Sequence, residues 1–88
     1  MRGVEAMSDE ELKTELREII SEVTEVDDVP DAVPFKDLGI DSMMAIEIVA
    51  EVERTYKLSI PEAELQDLTD FDAVYAKVKQ KLAERDAA

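Results

Sequence analysis

Asp37-Leu38-Gly39-Ile40-Asp41-Ser42-Met43 joins a stretch without helical rhythm to one in which that rhythm is strong. Upstream, from about Asp27, Pro30 and Pro34 bias the residues before them away from helix, and Gly39 supplies a flexible turn position. Downstream, Ile46, Val49, Val52 and Tyr56 recur at helical spacing and predict an inward stripe, with Ile48 at its flank. A helix therefore begins at Asp41 or Ser42 after a long connection. In so small a domain such a connection is either disordered or functional and pinned by its own side chains. Phe35, Leu38 and Ile40 argue for pinning, since each can anchor the loop to helices around it.

Working outward, Ser8-Asp9-Glu10-Glu11 fits a capping box, with Ser8 accepting from the Glu11 amide and the Glu11 side chain reaching back. Leu12, Leu16, Ile19, Ile20 and Val23 then share one face of a long amphipathic first helix. After the second helix, Pro61 opens a short helical segment whose apolar face is expected from Ala63, Leu65 and Leu68. Thr69-Asp70-Phe71-Asp72 reads as a further helix start, followed by Val74, Tyr75, Val78 and Leu82 at helical spacing. Lys77, Lys79, Lys81 and Arg85 crowd its later half, where cations suit the negative end of the helix dipole. No strand alternation or internal repeat interrupts the pattern. The fold class is all-α: a small four-helix bundle with three main helices, a short third helix and a long loop between the first two.

The 88 residues fit one domain, and a chain of this size buries only about 60–65% of the surface it exposes when unfolded. There is no cysteine and no histidine, which removes disulfides, thiolate and imidazole metal sites, and Ser-His catalysis. The formal net charge of −13 argues against nucleic acid and against anionic membrane surfaces, and it suits a partner with a basic patch. No apolar run is long enough to span a membrane and the N-terminus lacks a signal-peptide core, so a cytoplasmic location is expected.

On local grounds Asp41-Ser42 is an ordinary helix cap, because both residues are favoured N-cap types. A serine hydrolase is disfavoured, since Ser42 has no histidine to act as base and does not sit in a Gly-x-Ser-x-Gly elbow. No metal site is expected: the carboxylates do not form the Asp-x-Asp-x-Asp-Gly run of a calcium loop. An acidic helical adaptor without a cofactor is the binding-only alternative.

Context changes that reading. Asp37-Leu38-Gly39-Ile40-Asp41-Ser42-Met43 resembles the Leu-Gly-x-Asp-Ser-Leu signature of acyl carrier proteins, with methionine in place of the last leucine. The likeness continues through Ile46-Glu47-Ile48-Val49, Glu51-Val52-Glu53, Tyr56, Ile60-Pro61 and Leu68-Thr69, and covers about residues 8–83. It implies a non-catalytic carrier with phosphopantetheine attached at Ser42, flanked by Asp41 of the motif. A separate phosphopantetheinyl transferase would use Mg²⁺ and coenzyme A. The serine oxygen would attack the phosphorus next to the pantetheine and displace adenosine bisphosphate. The arm's thiol would then hold acyl groups as thioesters, which brings sulfur to a chain that has no cysteine.

The resemblance also implies docking through the second helix, with Asp41, Glu47, Glu51 and Glu53 pairing with basic residues on transferases and acyl-processing enzymes and Met43 and Met44 as apolar contacts. Met44 and Arg54 stand where carriers of fatty-acid synthesis commonly have acidic residues, which favours a specialised fatty-acid-like or polyketide pathway. Aminoacyl and D-alanyl carriers share the attachment logic and remain the alternatives within the family. Residues 1–7 are expected to form a flexible extension, 8–84 the carrier domain and 85–88 a flexible tail. The protein is expected to be a monomer.

Overall fold

The structure, a computed structural model, describes residues 8–87; the expected extension at residues 1–7 lies outside them. Three α-helices follow in order: α1 (Asp9–Thr24), α2 (Ser42–Tyr56) and α3 (Phe71–Ala87). Two 3₁₀ segments lie between them, Phe35–Leu38 in the long loop and Glu62–Asp67 as the short helix anticipated after Pro61. Among the described residues there is no strand, and no helix is long and apolar enough to cross a membrane. α3 runs past the boundary placed after residue 84, and its described turn at Arg85 donates to the Tyr56 carbonyl at 2.6 Å.

The helix ends follow from their caps. Ser8 and Glu11 form the reciprocal capping box, with separations of 3.1 Å and 3.0 Å. α1 stops where Glu25 turns to φ 61°, while the buried Thr24 hydroxyl donates to the Ile20 carbonyl at 2.7 Å and accepts from the Val26 amide. Asp70 caps the start of α3 by accepting from the Ala73 amide at 2.9 Å. The bonds from the Glu11 and Ala73 amides satisfy donors that a helix start would otherwise leave unpaired.

α1 packs against both α2 and α3. Leu12, Leu16, Ile19 and Ile20 meet Ile48, Val49, Val52 and Tyr56 from α2 and Phe71, Val74 and Val78 from α3. The connections contribute as well: Val29, Phe35, Ile40, Ile60 and Leu68 are all buried. In so thin a core these loop residues close the bundle at both ends.

Two expectations about inward faces are corrected. Ile46 is 50% exposed, whereas Ile48, expected at the flank, is 1% exposed. At about 100° per residue, Ile48, Val49, Val52 and Tyr56 fill one arc of the helix, and Ile46 falls about 60° beyond its edge. Ala63 is exposed too. Its segment winds as a 3₁₀ helix with three residues per turn, which aligns Leu65 with Leu68 and leaves Ala63 outside.

Polar ties supplement the core. Glu64 Oε1 lies 3.0 Å from Lys77 and 3.3 Å from Lys81, as charge contacts rather than aligned hydrogen bonds, and fastens the short helix to α3. The Tyr56 hydroxyl donates to Glu15 at 2.6 Å, joining α2 to α1.

The arc of α2 gives a direct comparison. Ile48→Ala should cost about 2–5 kcal/mol in a urea or thermal melt, by cavity formation in the core. Ile46→Ala should stay within about 0.5 kcal/mol. Burial, then the bond to Glu15, pushes the Tyr56 phenol well above its ordinary 10.0. The raised value favours the neutral phenol of the folded chain, so its stabilisation is full below pH 10.0. It declines above that, as the unfolded chain ionises first. Tyr56→Phe should flatten the alkaline loss of stability measured by urea unfolding across that range.

Candidate functional site

The long loop is held by backbone bonds that do not belong to any helix. The Phe35 amide donates to the Thr69 carbonyl at 2.8 Å, and the Asp72 amide donates to the Asp31 carbonyl at 3.0 Å. These two bonds sew the loop to the entry of α3. Arg17 locks the seam from α1: Nε donates to the Val29 carbonyl at 3.0 Å, the guanidinium pairs with Asp31, and it lies 4.2 Å over the Phe71 ring.

From Phe35 the chain makes one 3₁₀ turn and stops at Gly39, whose φ of 81° is a left-handed conformation that suits glycine. A Cβ there would touch nothing within 4 Å, so the requirement is for the backbone angle and not for space. The Gly39 amide donates to Lys36 and the Ile40 amide to Phe35, at 3.2 and 3.0 Å. Ile40 is buried, which fixes where the chain enters α2.

At that entry Asp41 is the cap. Its backbone is extended, and Oδ1 accepts from the Met44 amide at 2.9 Å. Ser42 is therefore the first residue of α2, and its exposed hydroxyl makes no hydrogen bond among the described residues. Capping by the aspartate frees the serine. The first amides of α2 lack intrahelical acceptors and favour a negative group nearby. An open groove of about 400 Å³ begins at this point, with Phe35, Ile40, Ala45 and Leu68 among its walls and Lys36 beside it. An exposed hydroxyl, a helix start that tolerates a phosphodiester and a groove for the chain beyond it all fit a phosphopantetheine arm. When bound, such an arm supplies a terminal thiol.

The expected docking residues separate in the structure. Met43 is 74% exposed, while Met44 packs partly against the core. Glu47 is exposed and has no ion pair among the described residues. Glu51 is taken up by Arg54 at 2.6 Å, and Glu53 accepts from the Ile60 amide at 2.7 Å to hold the turn after α2. Ile46, read from the sequence as core, stands exposed three residues after Met43. Met43, Ile46 and Glu47 therefore share the outer face. The i, i+3, i+4 spacing could have linked them, but not shown which face was outward.

A family model described as a phosphopantetheine attachment site matches residues 14–78. The anthracycline acyl carrier protein DauA of a Streptomyces species is 38% identical over 73 residues, covering 77% of this chain and 87% of that protein. Polyketide-8 synthase acyl carrier protein 2 of Streptomyces avermitilis is 36% identical over 75 residues, covering 82% and 86%. An acyl carrier protein of Thermotoga maritima has the same fold, with a TM-score of 0.78 at 28% identity over 91% of this chain and 96% of that one. By model, by sequence and by fold, the chain belongs to the acyl carrier protein family, whose members hold phosphopantetheine as a covalent prosthetic group.

Proposed function

We propose that Ser42 is the attachment residue and that the chain carries polyketide intermediates as thioesters on the attached arm. The observation that carries this reading is the division of labour at the start of α2, where Asp41 caps the helix and leaves the Ser42 hydroxyl exposed beside an open groove. In the loading step Ser42 Oγ attacks the pantetheine-bearing phosphorus of coenzyme A. The bond from that phosphorus to adenosine bisphosphate breaks, and the serine proton passes to a base. The base and Mg²⁺ come mainly from the transferase. The carrier itself is non-catalytic and is loaded and unloaded by separate enzymes.

Polyketide cargo is favoured by the names of the two Streptomyces relatives over the aminoacyl and D-alanyl alternatives. Partners are a phosphopantetheinyl transferase and the enzymes of a synthase, and they meet the outer face of α2. Met43 and Ile46 offer apolar contact there, with the Glu47 carboxylate beside them for a basic residue. Glu51 and Glu53 are occupied within the chain, and Met44 supports the face from beneath. The carrier works as a cytoplasmic monomer.

Incubation with coenzyme A, Mg²⁺ and a broad-specificity transferase, followed by intact mass, tests this reading. One phosphopantetheinyl group should be added, and none to Ser42→Ala. No addition by several transferases active on other carriers would contradict it. In the same assay Glu47→Lys should slow modification severalfold at low salt with helicity unchanged, and the gap should narrow as salt screens the charges.

A further inference from the structure

Lys36 stands apart from the other cations of this acidic chain. Arg17, Arg54, Lys77, Lys79 and Lys81 pair with carboxylates, Lys13 lies 5.0 Å over the Tyr75 ring and Arg85 donates to a carbonyl. Among the described residues only Lys36 and Lys57 have neither an acid, a ring nor a carbonyl as partner. Lys57 follows the far end of α2. Lys36 lines the same groove as Ser42 and Asp41. Its backbone is fixed as well, in a 3₁₀ turn whose neighbours Phe35 and Ile40 are buried and whose carbonyl accepts from Gly39.

We infer that Lys36 is a positioning residue for the prosthetic arm: its ammonium pairs with the phosphodiester on Ser42 and turns the arm back along the groove instead of outward into solvent. This rests on Ser42 as the attachment residue. A phosphodiester there carries one negative charge beside Asp41, whose carboxylate repels it even while bound to the Met44 amide. The open amides of α2 offset part of that repulsion. Lys36 is the unpaired cation on the groove and supplies the remaining attraction. A phosphate drawn toward Lys36 directs the next bonds of the arm between Phe35, Ile40 and Leu68, an apolar path for methylene and gem-dimethyl groups. The contact is exposed, so it biases a population and does not lock it. Release to a partner enzyme then needs only a competing charge.

The chain's lack of cysteine makes the test clean, because the arm's thiol is the sole thiol in the holo-protein. A nitroxide on that thiol broadens amide resonances near it in proportion to the time spent close by. In the holo wild type, Phe35, Leu68 and Thr69 should be broadened more strongly than Glu47 on the outer face. Lys36→Gln should shift the arm outward and reduce that broadening by roughly 1.5- to 5-fold, the range for one exposed ion pair. Lys36→Arg should restore it, and raised salt should weaken it in the wild type. Equal broadening in wild type, Lys36→Gln and Lys36→Arg at low salt would overturn the inference. The mass of the holo-protein separates the two claims. Without the added group the attachment reading fails and takes this inference with it. With the group present and broadening unchanged, only the role of Lys36 fails.

Discussion

Arg17 sits where three parts of the chain meet. From α1 it donates to the Val29 carbonyl, pairs with Asp31 and lies over the ring of Phe71 at the start of α3. The same crossing carries the backbone bonds from Asp72 to Asp31 and from Phe35 to Thr69. With those contacts in place a loop of some length becomes a wall. Phe35 and Ile40 can bury themselves, the chain can turn at Gly39, and Asp41 reaches the position from which it caps α2. The presentation of Ser42 is thus a consequence of a seam formed by residues far from it in sequence.

Charge is distributed to the same end. The described cations are mostly spent inside the molecule, tying α1 to the loop, the short 3₁₀ helix to α3 and α3 to the end of α2. What faces outward is largely uncompensated carboxylate, consistent with the net charge of −13. In the proposed docking, such a field would draw a basic partner from a distance and orient it, with the exposed Met43 and Ile46 offering short-range apolar contact. The internal pairs confer position more than stability, since exposed ion pairs contribute little on their own.

Much of this was legible in the sequence because it is local. The capping box at Ser8 and Glu11, the proline-bounded loop, the helix start at Asp41-Ser42 and the stripe Phe71, Val74, Val78 all depend on residues within a turn or two of each other. The errors arose where a partner had to be known. Ile46 and Ile48 are chemically alike, and only the direction of α1 decides which is buried. Ala63 falls outside because its segment winds at three residues per turn, which aligns Leu65 with Leu68 but not with Ala63. Val29 lies in the loop outside any helical pattern, yet it is 1% exposed, with its carbonyl accepting from Arg17. Likewise the bond from the Ile60 amide to Glu53 depends on a turn that brings together residues seven apart, which local pattern does not reveal. The Met43-Met44 pair was visible as a pair, but its split into one outward and one inward side chain required the helix to be set against its neighbours.

Native-state hydrogen exchange at the Phe35 amide measures the seam directly. That amide lies outside every α-helix, and its acceptor is the carbonyl of Thr69, far along the chain. If the loop is a fixed wall, Phe35 and Asp72 should exchange on the timescale of core amides such as Val52, with opening energies close to that of global unfolding. Exchange of Phe35 at the rate of an open loop, while Val52 remains protected, would contradict the account: Ser42 would then be presented by the helix alone and not by the loop sewn behind it.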